Sequence, residues 1–233
     1  MGVKRIAAVL LDMDGLLLDT ERLSLSCRRE ACARLSLPFE EELSPQLMGR
    51  SNAEVRQIFL ERYGLQYPFE AVEAEADRLW EEYMARYQNP NLRPGVFELL
   101  DFLKAQGIPC AVATSTIRQD ALPLLEGTGI FPYLKDAVYG DMVPCGKPAP
   151  DIFLLGARRL GARPGRCLVL EDSPNGIRAA HRAGMIPVMI PDLVLPNKEI
   201  GAQARAVLDS LSEVPSFIRE LEAAGEEPPG SPL

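Results

Sequence analysis

The sequence predicts an α/β fold in which helices wind over both faces of a parallel sheet and one all-helical segment is inserted. Three observations predict it. Short, unbroken apolar runs recur at residues 6–11, 108–113, 167–170 and 186–190, and runs of this kind read as strands buried on both faces. Helical patterns separate them, and strands alternating with helices imply parallel pairing through right-handed crossovers. Between the first run and the second, residues 18–92 offer helices and no convincing strand. The core is therefore expected to be a Rossmann-like, doubly wound sheet made of residues 1–17 and 93–225, with a helical domain over 18–92.

The first run ends in Asp12-Met13-Asp14-Gly15, delivering two carboxylates to the carboxyl edge of the sheet, where open α/β sheets bind ligands. Side chains alternate along a strand, and Gly15 lets the chain turn so that both acids border one cleft. Like charges gathered there cost stability unless a cation or a proton compensates them. A metal site is the first hypothesis, and ordinary capping of the next helix is the alternative. A helix follows over 21–35, with Leu23, Cys27, Ala31 and Leu35 at helical spacing, and Pro38 ends it. Ser51-Asn52-Ala53-Glu54 has the form of a capping box and opens a helix carrying Val55, Ile58 and Phe59 toward Gly64. Residues 69–87 form a third helix, glutamate-rich on one side, with Leu79, Trp80, Tyr83 and Met84 toward packing.

Pro94-Gly95 then introduces a helix over 96–106, which Gly107 closes. The strand over 108–114 leads into Thr114-Ser115-Thr116, hydroxyls and backbone N–H groups placed where a helix begins, which suits an anion. That helix, over 117–126, contains Pro123, so its middle is in question. Ala137-Val138-Tyr139 is a short strand, and Gly146-Lys147-Pro148 precedes a helix over 150–160. The strand over 167–170 ends at Glu171-Asp172, after which Ser173-Pro174 supplies the cap and first residue of a helix running to Gly184. Residues 186–190 and 206–208 are further strands, and the polar, proline-rich tail 226–233 is expected to be disordered.

A net charge of -8, without any basic stripe or lysine run, argues against a nucleic-acid partner, whereas a small phosphorylated ligand needs only a metal and one lysine. Five cysteines, an odd number without C-x-x-C spacing, suggest free thiols in a reducing compartment. The apolar run after Lys4-Arg5 is too short for a signal peptide or a membrane span, so a cytoplasmic protein without membrane partner is expected, with monomer as the default state.

Taken singly, Thr114-Ser115, Lys147 and Glu171-Asp172 each fit a helix cap, a solvated loop cation or a helix-terminal charge. In this order, each at a strand end or beside a helix start, they match a known pattern. The strings D-M-D-G-L-L-L-D-T-E, G-K-P-A-P-D-I-F and L-E-D-S-P-N-G resemble the haloacid dehalogenase superfamily, specifically phosphatases similar to β-phosphoglucomutase that carry a helical cap after the first strand. In its first motif the chain looks most like pseudouridine and sugar-phosphate phosphatases. The resemblance covers nearly the whole chain and implies a Mg²⁺-dependent phosphomonoester hydrolase acting on a small phosphorylated metabolite. It implies Asp12 as nucleophile, Asp14 as acid and base, and Thr114 with Ser115 and Lys147 as phosphate-binding groups. It also implies a metal held by Asp12, the main-chain carbonyl of Asp14 and Asp172, with Glu171 nearby. A β-phosphoglucomutase-type mutase is the alternative. Members with that activity carry a histidine and an arginine in the cap where this chain has Ser24 and Asn52, although Arg50 lies two positions away. Arg22, Arg50 and Arg118 are the candidates to face the leaving group. The single histidine, His181, is expected on a helix surface. A binding module without catalysis would need fewer of these groups.

Overall fold

The structure, a computed structural model, describes residues 6–47 and 52–223. Its sheet is entirely parallel: β1 (Ala8–Leu11), β2 (Cys110–Ala113), β3 (Asp136–Val138), β4 (Cys167–Glu171), β5 (Ile186–Met189) and β6 (Ala206–Val207) run in the order β3-β2-β1-β4-β5-β6. The chain enters at the centre, winds outward to β3, returns beside β1 and winds outward again to β6. The direction therefore reverses between β1 and β4, which is where such sheets open a crevice at their carboxyl ends.

The helices are, in chain order, α1 (Thr20–Arg34), α2 (Ser44–Leu47), α3 (Asn52–Tyr63), α4 (Phe69–Tyr87), α5 (Val96–Gln106), α6 (Arg118–Gly127), α7 (Asp151–Leu160), α8 (Pro174–Arg182), α9 (Lys198–Gln203) and α10 (Val214–Ala223). Strand alternation sorts the first strand between two cores. Val9 and Leu11 pack with Leu99 and Leu103 of α5 and Ile218 of α10, whereas Ala8 and Leu10 pack with Phe153 of α7 and Ala180 of α8. Both faces are thus covered, which is why β1, β2 and β5 are apolar at every position.

The segment between β1 and β2 is helical, and α1 to α4 bury a core of their own around Phe59, ringed by Phe39, Tyr63, Tyr67 and Phe69. Trp80 packs against both this core and the sheet's. The buried stripe of α1 keeps Cys27 and Ala31 as expected but adds Leu25, Arg28 and Cys32, and Leu35 is 40% exposed. Arg28 is inside because Glu73 of α4 accepts two hydrogen bonds from its guanidinium, at 2.7 and 3.2 Å, and a paired charge tolerates burial that an unpaired one does not. Helix α6 runs unbroken through Pro123, since Ala121, Leu124 and Leu125 are buried and hold it while one ladder bond is lost. Ser173 caps α8 by accepting from Gly176 N–H at 3.0 Å. The tail 226–233, Arg50, and Ser51 of the anticipated capping box lie outside the described residues. No helix among the described residues is long and apolar enough to cross a membrane. The five cysteines are unpaired, and Cys145 alone among them is exposed.

Candidate active site

Pairing of the two central strands sets Leu11 opposite Leu170, so the residues that follow, Asp12 on one side and Glu171-Asp172 on the other, emerge together. Carboxylate oxygens of Asp12, Glu171 and Asp172 lie within 4.8 Å of one another. Two glycines make room for this convergence. Gly15 adopts a φ of +82°, and a Cβ there would lie 2.3 Å from Asp172 Oδ2. A Cβ on Gly176, in the first turn of α8, would lie 1.7 Å from Glu171 Oε1.

Lys147 closes the group from the loop before α7. Its ammonium donates to Asp12 Oδ1 and, at 2.6 Å, to Glu171 Oε1, and it stands 5.0 Å above the Phe153 ring. Glu171 uses its other oxygen to accept from the Ser173 amide and hydroxyl, both at 2.9 Å. Were Asp12, Glu171 and Asp172 all ionised, Lys147 alone would leave a net charge of -2 in a buried place. Burial pushes the Asp12 carboxyl well above its usual range, with Glu171 and Asp14 adding to the shift and Lys147 opposing it. Asp172 is raised by burial and by Glu171, Asp12 and Glu21. Burial pulls Lys147 down, yet Asp12 and Glu171 outweigh it and hold the ammonium charged. Each like pair at this spacing costs about 3 kcal/mol at an effective dielectric of about 20. A helix cap returns about 1 kcal/mol, so capping does not account for the convergence. The donor set, all carboxylate oxygen and two charges short of neutral, fits one hard divalent cation.

The Asp14 carboxylate does not join that cluster. Thr20 donates to its Oδ1 at 2.7 Å, and Thr114 and Thr116 donate to its Oδ2 at 3.0 and 2.7 Å. Three hydroxyls from two parts of the chain therefore aim one carboxylate. The Thr114 amide donates to Val138 O within the sheet, and its hydroxyl, which donates to Asp14, accepts from the Thr116 amide at 3.0 Å. Ser115 is exposed beside it. Thr20 is the site residue that sequence reasoning passed over, although it stands in the quoted D-T-E string. Arg118 is not brought to the carboxylates: it lines a groove of about 400 Å³ with Phe131, Lys135 and Arg159 along the β3 edge. Arg22 turns to Asp19 and Asp192, and His181 is exposed in the last turn of α8.

Clustered acids at the carboxyl ends of β1 and β4, a buried lysine and a hydroxyl-held aspartate fit a hydrolase built on an α/β sheet. The family model of the haloacid dehalogenase-like hydrolases matches residues 6–184, and the chain belongs to that family. Over 217 residues it is 36% identical to a Drosophila melanogaster protein named a probable pseudouridine-5'-phosphatase, covering 91% of this chain and 92% of that one. It is 37% identical over 210 residues to (DL)-glycerol-3-phosphatase 2 of Arabidopsis thaliana, covering 87% and 85%. A mutant CbbY of Rhodobacter sphaeroides, solved with xylulose-1,5-bisphosphate, superposes with a TM-score of 0.74 at 31% identity, covering 89% of this chain and 96% of that one. The chain is a phosphoric monoester hydrolase of this family.

Proposed function

We propose that the protein is a Mg²⁺-dependent phosphatase of small phosphorylated metabolites, sugar phosphates or nucleoside-like monophosphates, working through an aspartyl-phosphate on Asp12. The observation that carries the proposal is the convergence of Asp12, Glu171 and Asp172 on one point while Lys147 holds Asp12 and Glu171 from the side. Asp12 attacks phosphorus, the P–O bond to the alcohol breaks, and the covalent intermediate divides one hard displacement into two easier ones. Asp14, carrying a proton once substrate is bound, gives it to the departing alkoxide and then takes one from the water that hydrolyses the acyl phosphate. Before either step Thr20, Thr114 and Thr116 hold its carboxyl in one orientation. Lys147 balances charge on the nucleophile and on the phosphoryl oxygens. The side chains of Asp12 and Asp172 and the main-chain carbonyl of Asp14 would hold the cation, with Glu171 beside them; bound there, it neutralises the meeting of two anions. Residues 18–92 serve as a cap over residues 1–17 and 93–225, and the leaving group is read by the cap. Relatives named for pseudouridine phosphate and for glycerol phosphate support the phosphate as the shared element of recognition.

Phosphate release from a metabolite panel tests the proposal. Activity is expected to vanish in chelator and return with Mg²⁺, and β-glucose 1-phosphate with a trace of its bisphosphate is expected to yield free phosphate. Metal-independent turnover would overturn the cation's role, and glucose 6-phosphate as product would favour the mutase.

Stability gives a second check. Asp12 and Asp172 are raised above the ordinary 3.8, so the metal-free native state keeps protons that the unfolded chain surrenders above about pH 4. Stability of the metal-free protein is therefore expected to fall as pH rises from about 4 through the raised native values. Mg²⁺ replaces those protons, so the melting temperature it adds should be larger at pH 8 than at pH 5. Thermal scans with and without Mg²⁺ at both values measure this, and an equal gain at both refutes it.

A further inference from the structure

The two connections between sheet and helical block run side by side. Asp19 N–H donates to Asn91 O at 2.8 Å, Arg93 N–H donates to Leu17 O at 2.9 Å, and Leu18 pairs antiparallel with Leu92. Four charges meet over this ribbon. Arg22, in the first turn of α1, and Arg93 reach the same oxygen of Asp192, at 2.5 and 2.9 Å, while Asp19 faces Arg22 Nε at 3.3 Å. Asp192 belongs to the sheet domain, just beyond β5. Its side chain is 0% exposed, and its second oxygen has no partner among the described residues. A buried carboxylate satisfied through one oxygen is a poor device for stability alone, because apolar packing serves as well or better. What such a pair supplies is placement.

We infer that Asp192 is a positioning residue: through Arg22 and Arg93 it pins the two-stranded ribbon to the sheet domain, and so fixes where Thr20 presents the Asp14 carboxyl. Thr20 opens α1 two residues before Arg22, so a shift at the clasp is passed directly to the hydroxyl on Asp14. The inference rests on the acid and base role proposed for Asp14. The ion-pair partners of Asp192 are Arg22 and Arg93, not the carboxylate cluster or the hydroxyls on Asp14.

Arg22→Gln, Asp192→Asn and the double variant test it, by steady-state phosphate release and by hydrogen exchange at the Asp19 and Arg93 amides. Arg22 is 47% exposed and its loss leaves Arg93 on the buried carboxylate, so this variant folds even where Asp192→Asn does not. Arg22→Gln is expected to lower kcat about tenfold with KM within about twofold, to speed exchange at both amides about tenfold, and to show no additional loss in the double variant. Wild-type kcat and exchange in Arg22→Gln, or losses that add in the double variant, would reduce Asp192 to a structural residue. A wild-type chain that releases no phosphate would instead remove the proposed function, and the exchange rates would still decide whether the clasp holds the ribbon.

Discussion

Asp12→Asn is expected to lower phosphate release by about four orders of magnitude or more while the fold persists. The amide keeps the size of the carboxylate and its place after β1, yet it lacks the charged oxygen that attacks phosphorus. Stability should move the other way. The substitution removes a carboxyl whose ionisation burial and its acidic neighbours oppose, so that cost falls while Lys147 keeps Glu171 as partner. In chelator the variant should therefore melt at or above the wild-type temperature. Single-turnover assays and thermal scans on the same preparation measure both effects. A variant keeping a tenth of wild-type turnover would mean that another group attacks.

Much of this site was legible because strand-end positions are written locally. An apolar run followed by Asp12-x-Asp14-Gly15 says both that a strand ends and that acids stand at its end, and parallel order then brings Glu171-Asp172 alongside. The sheet needs no more than alternation of apolar runs with helices to be foreseen, because strands covered on both faces carry no polar positions to confuse the pattern. Helix α10 was not anticipated, although Val214, Ile218 and Leu221 stand at helical spacing. Helix α9 has six residues, too few to show a period.

What stayed hidden is relational. Nothing local marks Arg28 as buried, since its burial depends on Glu73, 45 residues away. Thr20 reads as a helix start until Asp14 is seen to accept its hydroxyl, and Arg118 reads as a candidate to face the leaving group until it is seen lining the groove at the β3 edge. Arg22 was a candidate for the leaving group, and its actual partner lies 170 residues on. Charged side chains on long stems are placed by the tertiary partner they find, so sequence position constrains them least.

Lys147→Met is the second large effect. Among the described residues, the Lys147 ammonium is the cation in hydrogen-bond contact with Asp12 and Glu171, and all three side chains are at most 8% exposed. Methionine keeps the length and the apolar contact with Phe153, so what is removed is charge and not volume. Breaking a buried ion pair from one side costs about 3–5 kcal/mol, because the remaining carboxylates keep their desolvation without their partner. For a chain of this size that corresponds to a fall in melting temperature of about 6–20 °C. Phosphate release should be lost as well, since the nucleophile would then face an anionic phosphoryl group without the ammonium. Two controls separate charge from packing. Mg²⁺ should restore part of the lost stability by supplying positive charge to the same carboxylates, and Lys147→Arg should melt closer to wild type while turning over poorly, its planar fork being unable to copy a compact ammonium between two oxygens. A Lys147→Met protein as stable as wild type in chelator at pH 7.5 would show that Asp12 and Glu171 do not depend on the ammonium for their burial.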